Sequence, residues 1–216
     1  MSTEAPSPRT RVRRHRDRGV YDAATVESIL DEAVICHVGV VADGSPVVLP
    51  TVHARLGRTL YLHGARANAL LGTADGADVC VTATLVDGLV LARSAFHHSV
   101  NYRSVVVFGR ARAVTDPDEQ RTALGALVDH VVAGRNDDVR PPSESELRST
   151  LVLALPIDEA SAKVRTGPPI DDPEDHELPH WAGVLPLAVV PGPPEPDPQL
   201  PAGTPVPDNV QGWRRP

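Results

Sequence analysis

SPVVLPTVHARLGRTLYLHGARAN, residues 45–68, is the stretch on which the fold turns. Val47, Val48 and Leu49 lead into Pro50, Thr51, Val52 and His53, an apolar and β-branched run that reads as a strand. Leu56-Gly57-Arg58 supplies a tight turn, and Thr59 to His63 is the return strand. Gly64-Ala65 is expected to break that strand, and Arg66 to Leu71 has helical composition. A strand that ends in small residues and enters a helix presents free backbone N–H groups and a positive dipole end, a seat for a phosphate. Arg66 beside it offers a guanidinium fork for the same anion; an ordinary surface arginine is the alternative.

Outward from this stretch the chain reads as short elements. Asp22 caps a helix over 23–30. A strand follows at 34–41, and Ala42-Asp43-Gly44-Ser45 is a hairpin turn. After a short helix at 66–73 come strand candidates at 78–85, 89–95 and 102–114. Asp116-Pro117 starts a helix to about 133, with Leu124, Leu127, Val128 and Val131 on one stripe. A shorter helix begins at Pro141-Pro142-Ser143, and strands at 149–157 and 160–166 complete the set. Six or seven short, mostly antiparallel strands with few helices predict a mainly β fold with flanking helices, a small barrel.

The length of 216 residues suits one domain with tails. Apolar residues make up 41% of the chain but only seven are Phe, Trp or Tyr, so Val, Leu and Ala must build the core. The net charge of −7 argues against general nucleic-acid binding. Arg9, Arg11, Arg13, Arg14, Arg16 and Arg18 crowd into a basic flexible arm over 1–19, either an arm for nucleic acid or an acidic membrane or a solvated arm folded over an acidic neighbour. No aromatic residues interleave it. Fourteen of 22 prolines lie beyond Gly167, and 190–216 reads as a Pro-rich disordered tail after a domain over 20–189. Trp181 to Leu187 is an apolar island expected to dock on the barrel. Cys36 and Cys80 lie in apolar runs and read as reduced core residues. No signal peptide and no apolar stretch of about 20 residues is visible, so no membrane span is expected and the cytoplasm is the expected location.

Taken in order, the segments YLHGARAN, DGLVLARSAFHHSVNYRSVVVFGRARAV, ASAKVRTGPPIDD and WAGVLPL resemble the pyridoxamine 5′-phosphate oxidase-like FMN-binding split barrels. Within that group the chain is similar to the flavin-nucleotide-binding branch related to nitroimidazole-resistance proteins. The resemblance implies a six- to seven-stranded antiparallel Greek-key split barrel, a homodimer, and FMN at the dimer interface. It further implies that Pro50, Thr51 and His53 border the flavin ring, while His63, Gly64, Ala65, Arg66 and Asn68 hold the ribityl phosphate. Arg103 and Ser104 begin the strand that reaches the partner's flavin in relatives, and Trp181 resembles a tryptophan that lies against the cofactor. The chain departs from the oxidases in lacking basic residues on its first strand and an arginine-rich terminal motif, so vitamin B6 is not the expected substrate.

Other readings of the same residues stay open. Thr51 either donates its hydroxyl to a ring edge or is a strand threonine, and His63 either meets the ligand or packs in the strand. His97 and His98 are adjacent and point apart in an extended chain, so a shared metal is not expected. One of them as haem ligand or proton donor, or as a plain loop histidine, are the choices. Lys163 and Arg165 share one face of the late strand, facing an anion or solvent. No acid–base dyad stands out, and catalytic residues are not assigned. The expected function is an FMN-dependent oxidoreductase acting on a small molecule. A deazaflavin- or haem-binding split barrel and a non-catalytic flavin binder are the alternatives.

Overall fold

The structure, a computed structural model, describes residues 4–214. Its first strand, β1 (Gly19–Val20), is followed by α1 (Ala23–Glu32), where the Asp22 carboxylate accepts the Thr25 N–H at 3.0 Å as an N-cap. The hairpin β2 (Ile35–Ala42) and β3 (Ser45–Leu56) closes through Asp43 (φ 50°) and Gly44 (φ 76°). Two successive left-handed residues make the two-residue turn whose twist matches the strands it joins.

β3 positions everything else. Its first part pairs with β2 as far as Val52↔Ile35; its last residues, from His53↔Leu62, pair with β4 (Thr59–Ala65). One strand therefore serves two sheets, and the change of partner falls between Val52 and His53. β5 (Asp78–Leu91) runs through the expected strand at 78–85 and into the one expected at 89–95, ending at Leu91. Val86-Asp87-Gly88 is a bulge where the register with β6 (Ser99–Arg110) shifts, and it bends the strand without ending it. With β7 (Arg112–Ala113), β8 (Thr150–Pro156), β9 (Glu159–Arg165) and β10 (Gly183–Pro186), the described residues form ten strands. Their order is β1-β9-β6-β5-β2-β3-β4-β8-β7, every pairing is antiparallel, and β10 lies on β5. The strands beyond the expected six or seven are the short ones: β1, β7 and β10.

Val, Leu and Ala fill the interior, with Val26, Ile29 and Leu30 of α1 plugging one end. Each fully buried Leu or Ile adds about 1.5–3 kcal/mol. α3 (Pro117–Val131) lies outside the barrel over a second cluster of Tyr61, Val114, Ala123, Val152 and Ala154. α4 (Glu144–Ser149) carries a complete capping box between Ser143 and Glu146. On β6, Val105 and Val107 are buried while Val106 is half-buried, so one chain alone covers its second face only in part.

Both ends of the described stretch are pinned. Arg9 meets Asp78 at 2.6 Å and also Glu159, and Thr10 is buried, so the arm is tied to acidic neighbours at Arg9. At the other end, residues 191–207 of the expected Pro-rich tail have no helix or strand and are almost entirely exposed, and order appears only near its close. α5 (Asp208–Gln211) forms, and the Trp213 Nε1–H donates to the Val131 carbonyl at 2.8 Å. A single indole gives this segment an anchor that its proline content conceals.

Candidate functional site

A hollow of about 660 Å3 opens between α3 and the β3/β4 hairpin, inside the roughly 300–1,000 Å3 typical of small-molecule sites. Val52 and His63 line its sheet side, and Leu124, Leu127, Val128 and Val131 of α3 face them. These four residues are the apolar stripe read on this helix from the sequence. Leu124 packs against the cluster of Tyr61 and Val152, and the stripe also walls the hollow. Arg135 and Arg140 come from the segment after α3; neither stood out in the sequence, because its signal was confined to a charged loop.

His63 stands beside Val52 on the sheet side of the hollow, which Asn136, Glu146 and Thr150 also line. Its Nδ1 is buried without a partner among the described residues. Burial holds its pKa below the ordinary histidine value, so the ring is neutral and keeps a lone pair. Arg140 is engaged in a fork to Glu146 at 2.8 and 2.6 Å. Arg135 is only 3.7 Å from Asp138, a looser pairing that leaves a cation near the hollow.

His53, expected beside the same ligand, is on the opposite side of β3. It is fully buried, its Nε2–H donates to the Leu30 carbonyl at 2.8 Å, and its ring lies 4.7 Å from that of His130. A carbonyl can only accept, so Nε2 carries the proton and Nδ1 is the unpartnered atom. Pro50 is exposed, and the half-buried Thr51 directs its hydroxyl to the Val52 carbonyl at 3.2 Å.

The expected phosphate turn takes a different form. β4 does not break at Gly64-Ala65; both residues pair with β8, as Gly64↔Leu151 and Ala65↔Thr150. The helix expected over 66–73 shrinks to α2 (Ala69–Gly72), and Asn68 caps it by accepting the Leu71 N–H. The Arg66 N–H donates to the Ser149 carbonyl and the Asn68 N–H to the Ala65 carbonyl, both at 2.8 Å. The Arg66 side chain donates to the carbonyls of Arg148 and Thr150. The Arg66 and Asn68 N–H groups are therefore engaged within the chain. Arg66→Ala is expected to change FMN and riboflavin affinities by the same small factor in fluorescence titrations; a loss confined to FMN would place a phosphate at Arg66 after all.

Arg103 sits in a triad. It donates to Asp87 at 3.0 and 2.8 Å and to Glu32, joining β5 to the end of α1, and these two carboxylates hold its pKa above the ordinary arginine range. Removing the cation leaves two partly buried carboxylates facing each other. Arg103→Met is expected to cost about 2 kcal/mol in chemical denaturation, less than a fully buried pair would. Once folded, the variant should keep its flavin affinity. Weaker flavin binding at unchanged stability would contradict this assignment.

The Ser104 hydroxyl donates to the Lys163 carbonyl at 3.3 Å. Trp181 is 69% exposed, and its ring covers Gly183, where a Cβ would stand 2.8 Å from the indole. His97 pairs with Asp172 at 3.1 Å and lies with Asp175 in a group spanning 4.8 Å, while His98 bonds the Ser94 carbonyl. Arg165 is buried and donates to Asn101 and to the Gly167 and Pro168 carbonyls. Burial pushes the Cys36 thiol up to about 12, which makes it an unreactive core residue.

An antiparallel sheet folded on itself through one two-partner strand, with a ligand-sized hollow beside that strand, is the fold class of the split barrels. Residues 22–164 match the model of the pyridoxamine 5′-phosphate oxidase family, and this chain belongs to it. Among solved structures it is similar to the flavocytochrome Anf3 from Azotobacter vinelandii, at 43% identity, 98% coverage of this chain and 99% of that one, and a TM-score of 0.92. It is similar to the FAD and haem binding protein from Mycobacterium smegmatis at 37% identity, with 90% and 96% coverage and a TM-score of 0.86. A candidate 5-nitroimidazole antibiotic resistance protein from Bacteroides thetaiotaomicron matches at 27% identity, 68% and 86% coverage and a TM-score of 0.58. Among curated protein sequences none matches the chain. No helix among the described residues is long and apolar enough to cross a membrane.

Proposed function

We propose that this chain is a redox protein that binds a flavin nucleotide and a haem, with the haem in the hollow beside His63. The observation that carries the reading is the unpartnered, neutral His63 imidazole in an apolar wall of that size. A neutral imidazole is the commonest histidine form in metal ligation, and a haem is flat, apolar and carries carboxylates at one edge. The residues fit it: His63 for the iron, Val52, Leu127 and Val128 for the macrocycle, and Arg135 for a carboxylate. The similarity to a flavocytochrome and to an FAD and haem binding protein supports the same pair of cofactors.

When bound, the flavin supplies a two-electron carrier and the haem a one-electron centre. This chain's part is to hold them, exclude water from the α3 hollow and set their electrostatics. Family membership favours a flavin nucleotide, and the FAD-binding relative favours FAD over the FMN that the resemblance first implied. An oxidoreductase acting on a small molecule other than vitamin B6 remains the reading of activity. A second copy of the chain is the proposed partner. The outward β2/β3 face leaves Val41 67% and Val48 62% exposed, a bare apolar surface of the kind that a homodimer covers. Extracting the purified protein and identifying what is released, with sedimentation of the holoprotein, tests the reading. A monomer carrying neither chromophore after growth with a haem precursor would refute it.

A further inference from the structure

Arg9, Arg55, Arg93, Arg103, Arg112 and Arg140 all face carboxylates. The arm is different. Among the described residues, Arg11, Arg13, Arg14, Arg16 and Arg18 have no ion pair and no side-chain hydrogen bond. Five arginines against Asp17 give 11–18 a formal charge of +4, so the rest of the chain carries −11. Such crowding of like charge is unfavourable unless an anion joins it.

The arm nevertheless has a fixed course. Arg9 ties it to Asp78 and Glu159, the Val12 N–H donates to the Tyr21 hydroxyl at 2.9 Å, and β1 pairs with β9. His15 takes a left-handed φ of 53°, an uncommon conformation for a non-glycine residue, and turns the chain between Arg13 and Arg16. Arg11, Arg13 and Arg16 thereby line one hollow of about 390 Å3, with Pro8. A second, of about 360 Å3, is bordered by Arg11, Arg16, Val12 and the Tyr21 side chain, with Glu4, itself engaged, at its edge. Asp22, Glu27 and Asp158 line the neighbouring surface, so a long polyanion would meet repulsion where a compact one would not.

We propose that this arm binds a nucleoside diphosphate, the diphosphate among Arg11, Arg13 and Arg16 and the nucleoside against Val12 and Tyr21. Guanidinium forks match phosphate oxygens, and an aromatic residue beside them suits a base. The diphosphate belongs either to a free nucleotide or to the ADP half of FAD; only the second source rests on the flavin reading.

Calorimetry on the full chain, freed of chromophores, tests this with ADP, adenosine, FAD and FMN. ADP is expected to bind saturably and adenosine not to bind. The ADP affinity should fall as salt rises. The triple variant Arg11→Gln/Arg13→Gln/Arg16→Gln should lose about 10-fold or more in ADP affinity, with Arg148→Gln as an exposed control that loses nothing. If FAD binds more tightly than FMN and the triple variant removes that preference, the ADP half of FAD is the source; equal flavin affinities with ADP binding intact indicate a free nucleotide. ADP binding with neither flavin bound would defeat the flavin reading and leave the arm site standing. No saturable binding of ADP, or binding indifferent both to salt and to the triple variant, would overturn the proposal.

Discussion

His63→Ala is expected to yield a folded protein that retains its flavin and has lost its haem. His63 is half-buried in the middle of β4, and its backbone pairs with Val152 whatever side chain it carries, so the strand should survive the change. What disappears is the one unpartnered imidazole on the apolar wall between Val52 and α3. Apolar contacts with Leu124, Leu127 and Val128 remain and would still attract a hydrophobic macrocycle weakly. Loss of the iron ligand should reduce affinity by a factor of roughly 100 or more, since it removes a coordinate bond as well as leaving a hole. The ratio of haem to flavin absorbance in purified wild-type and variant protein measures this directly. Equal ratios would move the haem elsewhere; loss of flavin alone would make the hollow the flavin site.

Acidification should destabilise the fold through His53. Burial, the larger cause, and the nearby His130 lower its pKa from 6.5 to about 4, against the opposing pull of the Leu30 carbonyl and Asp31. The folded state therefore refuses a proton that the unfolded chain accepts between about pH 6.5 and pH 4. The stability linked to His53 is complete above pH 6.5 and is lost progressively as pH falls to about 4, reaching about 3 kcal/mol. His53→Gln retains a donor for the Leu30 carbonyl and cannot titrate. Urea denaturation at pH 7 and pH 4.5 should show a stability drop in the wild type larger by about 2–3 kcal/mol than in the variant. Equal drops would mean that the ring is accessible to a proton in the folded state.

The barrel was legible because its signals are local. Alternation over 35–42, Asp43-Gly44 at a turn that requires two left-handed residues, and Asp22 and Asp116 as caps all act within a few residues of chain. Gly64 misled for a physical reason. The glycine reads as a strand breaker, yet it lies inside β4, where the Leu71 side chain packs so closely that a Cβ would stand 2.8 Å from its Cδ2. Close approach and strand termination leave the same residue in the sequence. Gly88 behaves alike: it marks a bulge in β5 under β10, where Val184 and Leu185 approach.

The candidate site was half legible. His63 was singled out, beside a turn that begins later than expected because β4 runs on through Gly64 and Ala65 in its pairing with β8. His53 and His63 are equivalent by composition, and only the three-dimensional path of β3 sends one into the core and the other to the hollow. The hollow itself needs α3 to cross the sheet at a distance, a tertiary fact that the Leu124–Val131 stripe does not encode. Arg103 illustrates the converse: its partners Glu32 and Asp87 lie 71 and 16 residues away along the chain.

The measurement closest to the central claim is an optical titration of the chromophore-free full-length chain with haemin, run in parallel on His63→Ala. The wild type should show a saturable Soret band reaching one equivalent per chain, and the variant only weak, non-saturating uptake. Saturable binding that is the same in both proteins, or none in the wild type, would contradict a haem site at His63.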